Sequence, residues 1–519
     1  MRILFGKVRV YSILAAVSSG VLLCLCFPPF EWHVLGWVAF VPLVLASSRV
    51  SPRRAAFLGW ICGVVASLGI SSWLASAAWW APLFFAIYCP IFFIPVSVFI
   101  SLMRQNVTLP SFLRRAGLLI GATVVWVASE YIRAHAMTGF PWDLLGASQY
   151  KQIPLIQIAD WGGVYAISAL LFFVNMVVAV TLCRLVSLKK PVWRLCSHEL
   201  GLAFLFVALN YVYGANKLQN EEVFGHSIRV ALVQPNRLTG GNSVPASEEQ
   251  IYKRLELLTD EAVKKGSMGL IVWPELALSD CTRIYPPGAE LIKRVAQKGA
   301  PLLVGMPDNF CNGNSEPDSF NSSVLFSPQG TPLTTYHKQK LVLFGECMPF
   351  VNRLPFLKTL FLGRLYLSAG TETVLFYLPE NPNPFSVLIC FEDTFPHLAR
   401  RAVRRGATWL VNQTDDSWLD PGCGSRQQLA NAIFRCIENR VPMVCCANTG
   451  ITCAIDRFGR ITQTLPPRAA GFQIAEILPG NSGSKTFYTR HGDLFAKVCL
   501  GITIAGILIG ILKRLRLCD

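Results

Sequence analysis

Long apolar segments constrain this sequence most, because no water-soluble domain can bury so many of them. We find eight, at approximately residues 11–27, 34–47, 55–75, 80–103, 116–132, 163–183, 195–213 and 494–512. Most are long enough to cross a hydrocarbon core of about 30 Å as a helix. Charged residues make up 15% of the chain, whereas soluble domains average about a quarter. The chain is therefore predicted to be a polytopic membrane protein with about eight transmembrane helices.

Basic residues indicate how these helices are oriented. They cluster before the first segment, after the second, between the fourth and fifth, between the sixth and seventh, and after the eighth. The alternate short loops carry no Lys or Arg, apart from Arg133 and Lys151 after the fifth segment. Because basic loops stay on the cytoplasmic side, both termini are expected there. The long stretch between segments seven and eight is expected outside.

The net charge of +16 follows from the same asymmetry. The chain has 47 Lys and Arg against 31 Asp and Glu, and sixteen of the basic residues lie in the segments assigned to the cytoplasm. The acids balance the other 31, so no concentrated basic face remains for a nucleic acid. The seventeen cysteines include no CxxC pair with the spacing of a zinc site. Neither a nucleic-acid partner nor a bound metal is expected.

A segment of soluble composition lies between residues 221 and 490. Short apolar runs such as SIRVALVQ, MGLIVWPE, APLLVGMP, FSVLICFE and ATWLVNQT alternate with helical patterns, which predicts an α/β domain with a buried sheet. One helix is expected to start after Ser247, with Gln250 completing its cap, and to stop at Gly266. The expected organisation is a membrane domain at 1–218 with seven helices, an α/β domain at 219–490, and a final helix with a basic tail at 491–519.

Reactive side chains follow three predicted strands of this domain. Glu275 follows LIVWP, Lys338 lies in YHKQKLVLFGE, and Cys390 ends FSVLIC. Functional residues of such sheets collect where strands end. A thiol with an ordinary pKa near 8.5 needs help to ionise. A carboxylate can take its proton, and an ammonium can stabilise the thiolate and an oxyanion. We expect a base, a cation and a nucleophile, with the backbone N–H of Phe391 donating to the oxyanion.

These motifs resemble those of a known family. VWPELAL, YHKQKLVLFGE and LICFEDTF occur in that order over about 115 residues, and they are similar to the three signatures of the nitrilase, or carbon–nitrogen hydrolase, superfamily. The resemblance implies a Glu–Lys–Cys triad carried by an α-β-β-α sandwich. It places Lys338, rather than Lys340, in the catalytic position. Phe391 departs from the tyrosine that is common after the nucleophile.

The membrane half of the sequence resembles one particular family within this superfamily. CFPPFEWHVLGWVAFVPL, SEYIRAHAMTGFPWDLLGASQ and YTRHGD resemble segments of the apolipoprotein N-acyltransferases. This resemblance implies transfer of an acyl chain from a membrane phospholipid, through a Cys390 thioester, to the α-amino group of the S-diacylglyceryl cysteine of an apolipoprotein. It implies the inner membrane of a bacterium, a periplasmic catalytic domain and a substrate-binding Trp142. No cofactor is implied, and a monomer is expected.

Other interpretations of the same residues stay open at this point. Glu346 and Glu392 are expected to orient the lysine and the acyl group, but they also suit solvated loop acids. Cys390 by itself suits an ordinary core cysteine, and His397 leaves room for a Cys–His protease pair. The rival functions are a membrane-tethered amidase acting on a small amide and a non-catalytic transporter or scaffold. The apolar segment 352–370 is hypothesised to be either a packed helix or a lid that guards lipid entry.

Overall fold

The computed structural model describes residues 2–104, 111–137, 139–188, 197–219, 227–237, 247–279, 286–310, 318–347, 367–379, 381–418, 423–481 and 483–515. The hypothesised lid at 352–370 therefore lies almost entirely outside the described residues. In chain order the α-helices are α1 (Arg2–Cys26), α2 (Val41–Ser47), α3 (Pro52–Ile70), α4 (Ala81–Tyr88), α5 (Ile94–Leu102), α6 (Phe112–His135), α7 (Ile153–Ile156), α8 (Ala159–Gly162), α9 (Val164–Leu188), α10 (Ser197–Gln219), α11 (Glu248–Val263), α12 (Pro286–Ala296), α13 (Pro396–Arg405), α14 (Gly424–Asn439), α15 (Phe487–His491) and α16 (Leu494–Leu515).

Within the described residues, the strands form two six-stranded sheets. They are β1 (Ile228–Gln234), β2 (Leu270–Val272), β3 (Leu302–Phe310), β4 (Asp318–Phe326), β5 (Pro332–His337), β6 (Phe376–Leu378), β7 (Asn381–Ile389), β8 (Trp409–Thr414), β9 (Met443–Ala447), β10 (Thr452–Ile455), β11 (Ile461–Leu465) and β12 (Gly471–Ile477). The first sheet has the order β12-β1-β2-β3-β4-β5 and the second β11-β10-β9-β8-β7-β6. Strands β1 to β3 run parallel, as do β7 to β9, and the remaining neighbours pair antiparallel.

The apolar runs are continuous because both faces of the first sheet are buried. Successive side chains of a strand point to opposite faces. Leu232 of β1 belongs to a buried cluster that contains Val444 of β9 in the second sheet. Val233, the next residue, belongs to a different cluster with Leu255 of α11 and Val295 of α12. The two sheets thus pack face to face, and helices cover the outer face of the first.

The helix predicted after Ser247 is present with the expected cap. The Ser247 side chain accepts the backbone N–H of Gln250, and the Gln250 side chain accepts the N–H of Ser247. Two backbone donors that the helix itself cannot satisfy are thereby paired. Gly266 follows at φ +126, a left-handed conformation that favours glycine. The prediction for this helix is confirmed.

The chain divides into two compact units that interleave along the sequence. The helical unit contains Met1–Glu221, Gly422–Ala430 and His491–Asp519. The sheet unit contains Glu222–Pro421 and Asn431–Arg490. The first turns of α14 therefore belong to the helical unit, although they lie between β8 and β9 in the sequence.

Five helical stretches among the described residues are long and apolar enough to cross a membrane. They are Pro52–Ile70, Ala81–Leu102, Phe112–His135, Val164–Val186 and Leu494–Lys513. Val10–Cys26 and His33–Ser47 are apolar but shorter. The predicted seventh segment is the helix α10, in which the buried Glu199 forms an ion pair with Arg115 of α6. Several apolar helices are thus present, and the count of eight transmembrane helices stays a prediction.

Candidate active site

Strand ends of both sheets carry the predicted reactive side chains. Glu275 lies three residues beyond β2, and Lys338 directly follows β5 of the same sheet. Cys390 directly follows β7 of the second sheet and opens a short 3₁₀ helix, Cys390–Thr394. The backbone of Cys390 has φ +54, which is uncommon for a residue with a side chain. Such backbone strain is concentrated at functional sites, where the surrounding structure holds it in place.

Glu275 and Lys338 form a buried ion pair. The Lys338 Nζ atom lies 2.9 Å from Glu275 Oε1 and 2.8 Å from Glu346 Oε1. Glu275 is 5% exposed and Lys338 only 1%. A buried ammonium is stable only when carboxylates and hydrogen bonds compensate its lost hydration. Both carboxylates that the sequence placed near the lysine therefore bind it directly.

Asn321 of β4 joins the two carboxylates, and the sequence interpretation missed it. Its Nδ2 group donates to Glu275 Oε1 at 2.7 Å and to Glu346 Oε1 at 3.0 Å. The second oxygen of Glu275 accepts the backbone N–H of Asp415 at 2.7 Å, just beyond β8. Hydrogen bonds to a carboxylate fix its direction as well as its charge. In the sequence, Asn321 is one of several polar residues in DSFNSSVLF, so no local pattern distinguishes it.

The pKa values of the two carboxylates move in opposite directions. Burial raises the pKa of Glu275, and the charge of Glu346 raises it further, although Lys338 opposes both. Burial also acts to raise the pKa of Glu346, but the charge and hydrogen bond of Lys338 hold it below its ordinary value. Burial favours a neutral Lys338, yet the two carboxylates raise its pKa well above its usual value. Carboxylates with separated pKa values can take different chemical roles.

Cys390 is 2% exposed, and its surroundings disfavour the thiolate. Burial raises its pKa well above the ordinary value, the charge of Glu275 raises it further, and the charge of Lys338 opposes this rise. Both members of the ion pair thus act electrostatically on the sulfur. Because the thiolate is the nucleophilic form, this thiol needs a base close by.

Glu392 is a fully buried carboxylate that fixes the segment after Lys338. Its Oε1 accepts the backbone N–H groups of Gln339 (2.7 Å) and Lys340 (2.9 Å). Its Oε2 accepts the Tyr336 hydroxyl and the backbone N–H of Ile389, both at 2.8 Å. One side chain therefore ties the end of β5 to the end of β7. Burial raises the pKa of Glu392, while these hydrogen bonds oppose the rise.

The remaining predicted residues have different surroundings. Lys340 places its ammonium over the ring of Phe395, 5.1 Å from the ring centre. The half-buried Phe391 ring also contacts Phe395, edge to face at 4.9 Å. Trp142 belongs to the helical unit, where it is buried and donates its indole N–H to Gln427 Oε1 at 2.8 Å. The structure thus brings Glu275, Lys338 and Glu346 into direct contact, but not Lys340.

Two regions of the chain match two family profiles. Residues 19–177 match the apolipoprotein N-acyltransferase N-terminal domain, and residues 229–484 match carbon–nitrogen hydrolase. Solved structures similar to part of the chain include an amidase from Nesterenkonia (15% identity, TM-score 0.36, 51% of this chain and 96% of that one). A carbon–nitrogen hydrolase from Helicobacter pylori is also similar (16% identity, TM-score 0.38, 49% and 89%). The profiles and the two-sheet unit define a nitrilase-like protein joined to a membrane domain.

Relatives of nearly the same length identify the particular family to which the chain belongs. An apolipoprotein N-acyltransferase of Geobacter metallireducens is 35% identical over 494 residues, covering 94% of this chain and 93% of the relative. One of Chlorobaculum tepidum is 30% identical over 526 residues, covering 94% of each. The chain belongs to the apolipoprotein N-acyltransferase family. The predicted family, the acyltransferase class and the nitrilase-like domain are thereby confirmed.

Proposed function

We propose that this chain transfers an acyl chain from a membrane phospholipid to the α-amino group of the S-diacylglyceryl cysteine of an apolipoprotein, through a thioester on Cys390. The observation that carries the proposal is the buried Glu275–Lys338 pair, whose charges both act on this thiol. We place the protein in the inner membrane of a bacterium, as a monomer with about eight transmembrane helices. The catalytic domain, residues 219–490, is proposed to be periplasmic.

The first half-reaction forms the thioester. Glu275 accepts the Cys390 proton, and the sulfur attacks the ester carbonyl of the phospholipid. The oxyanion of the tetrahedral intermediate is stabilised by the Lys338 ammonium and the backbone N–H of Phe391. When the intermediate collapses, the C–O bond breaks and the proton on Glu275 passes to the departing lysophospholipid.

The second half-reaction transfers the acyl group to the amine. Lysophospholipid leaves, and the α-amino group of the lipoprotein attacks the thioester carbonyl. Glu275 accepts the amine proton, the C–S bond breaks, and the sulfur recovers its proton from Glu275. The covalent intermediate divides one difficult transfer into two easier steps and predicts ping-pong kinetics. Because water competes with the amine, the deep burial of Cys390 favours transfer over hydrolysis.

The separated pKa values support Glu275, rather than Glu346, as the base. A carboxylate accepts a proton more readily when its pKa is raised toward the working pH. Glu275 meets this condition because burial raises its pKa. Glu346 keeps its charge and serves as a permanent partner of Lys338. Asn321 binds the facing oxygens of both carboxylates and so holds the base in one orientation.

The test is to trap the thioester on the full-length protein. Purified enzyme is incubated with a phospholipid labelled in its acyl chain, and the Cys390 peptide is analysed by mass spectrometry. We expect the acyl mass on this peptide and its loss when a diacylglyceryl lipopeptide with a free amine is added. Cys390→Ala should abolish the label, whereas the control Cys347→Ala should retain it.

The outcomes separate the proposal from its rivals. A label that persists in Cys390→Ala contradicts the assignment of the nucleophile. Hydrolysis of a small amide without any labelling by phospholipid indicates an amidase. The absence of both activities from well-folded protein indicates a non-catalytic membrane protein.

A further inference from the structure

Gln427 lies at the meeting point of two buried indoles in the helical unit. Its Oε1 atom accepts the indole N–H of Trp73 and that of Trp142, each at 2.8 Å. The two indole rings lie 5.5 Å apart. Gln427 itself is 1% exposed. Both lone pairs of its carbonyl oxygen are therefore used by tryptophan side chains.

The amide nitrogen of Gln427 is equally occupied. It donates to the backbone carbonyl of Ile70 at 3.0 Å and to that of Pro28 at 3.3 Å. One buried side chain thus joins the segment after α1, the end of α3, and the segments that carry Trp73 and Trp142. Buried polar groups with complete hydrogen bonding hold their neighbours in one arrangement.

The backbone around Gln427 fits the same arrangement closely. A side chain at Gly424 would place its Cβ atom 2.9 Å from the Trp73 ring. The Trp142 ring is also stacked against Phe140, with ring centres 6.3 Å apart. Trp142 is therefore fixed by a ring contact and by its hydrogen bond to Gln427.

We propose that Gln427 is a positioning residue that fixes the orientation of Trp142, and through it the binding of the lipid substrate. This inference rests on the proposed function and on the substrate-binding role that the family resemblance implies for Trp142. Without the Gln427 acceptor, the indole of Trp142 either leaves its buried position or stays there with an unpaired N–H. An unpaired buried donor is energetically unfavourable. The free enzyme then samples indole orientations that do not bind lipid, and the apparent affinity falls with the competent fraction.

Replacing Gln427 with glutamate separates the acceptor function of its side-chain amide from the donor function. Gln427→Glu keeps two oxygens that accept the indoles, but it cannot donate to the carbonyls of Ile70 and Pro28. Gln427→Ala removes both functions. We therefore expect both variants to disturb Trp142, and Gln427→Ala, which introduces no buried charge, is the variant used for the measurement. The adjacent Gln428 is buried as well, and Gln428→Ala is the matched control.

The experiment measures KM for phospholipid in mixed micelles and the single-turnover rate of thioester formation at saturating lipid. Gln427→Ala should raise KM about three- to tenfold, the value expected from losing one net hydrogen bond. The saturating rate should stay within about twofold, because the reacting groups are untouched. Gln428→Ala should leave both values near those of the natural protein.

A double-mutant cycle distinguishes positioning from general destabilisation. Trp142→Phe removes the indole N–H, so its effect on KM should not add to that of Gln427→Ala when the two act through one hydrogen bond. Additive effects, or equal losses in both glutamine variants, overturn the inference. If Trp142→Phe and Trp142→Ala leave KM unchanged, substrate binding by Trp142 is wrong, whereas the nucleophile assignment is tested independently by Cys390→Ala.

Discussion

Replacing Glu346 with glutamine removes one of the two carboxylates on Lys338 and keeps the size of the side chain. The Oε1 atoms of Glu275 and Glu346 lie 2.9 and 2.8 Å from the same nitrogen. They are therefore at most roughly 6 Å apart, and at an effective dielectric constant of about 20 two unit charges at this distance repel by about 2.8 kcal/mol. That energy corresponds to a pKa change of about 2.

The sign of the effect follows from the role of the base. The repulsion from Glu346 raises the pKa of Glu275, so removing it lowers that pKa. Glu275 accepts the thiol proton only when it is ionised, and thioester formation therefore slows as the pH falls through its pKa. Because solvent screening weakens part of the repulsion, we expect Glu346→Gln to move this acid limb about 1 to 2 pH units lower.

The assay is single-turnover formation of the Cys390 thioester from labelled phospholipid over a range of about pH 4 to 8. The control is Glu372→Gln, which removes the same charge from an exposed side chain. We expect the limb of the control to stay at the position found in the natural protein. A limb that does not move in Glu346→Gln, or that moves to higher pH, refutes the electrostatic coupling of the two carboxylates.

Two further predictions concern the position of the base and the identity of the lysine. Gly305→Ala places a Cβ atom 2.2 Å from the carbonyl oxygen of Pro274 and 2.6 Å from the Cα of Glu275. Because the backbone that carries Glu275 is displaced, thioester formation should slow about 100-fold. The variant should still fold, which size-exclusion chromatography checks. Lys338→Gln should abolish thioester formation, whereas Lys340→Gln should keep it within about threefold. The Lys338 ammonium contacts Glu275 and Glu346, whereas the Lys340 ammonium lies over the Phe395 ring. Equal losses in the two lysine variants would contradict this assignment.

The residues that carry the chemistry were predictable because reactive groups occupy the ends of strands. Glu275, Lys338 and Cys390 each follow an apolar run or a turn-rich strand, and functional residues collect at such strand ends. The first two follow strands of one sheet and Cys390 follows a strand of the other. This pattern could not decide between Lys338 and Lys340, because the two lysines follow the same strand and are only two residues apart. It came from the resemblance, and the contacts of Lys338 with two carboxylates support it.

The residues that orient the site were not predictable, because their partners are distant in the chain. Asn321 reaches Glu275 across 46 residues, and the backbone of Asp415 reaches it across 140. Neither residue has a motif that separates it from an ordinary polar residue in a strand or turn. The pairing of β12 was not predictable for the same reason: its partner β1 lies more than 200 residues earlier in the sequence, where Ile228 pairs with Ile477.

At the start of α14, tertiary hydrogen bonds rather than sequence position determine to which unit the residues belong. Residues 422–430 lie inside the region that matches carbon–nitrogen hydrolase, yet they belong to the helical unit. The partners that draw Gln427 there are Trp142 and Trp73, which precede it by 285 and 354 residues. A buried glutamine amide can be satisfied only where two acceptors and two donors converge. The periodicity of the segment predicts a helix but cannot tell which core that helix joins, because burial alone does not identify hydrogen-bond partners. A fragment of residues 219–490 would lack both indoles and both carbonyls that bind Gln427. The position of Gln427 in the sequence therefore does not show which residues satisfy its buried amide.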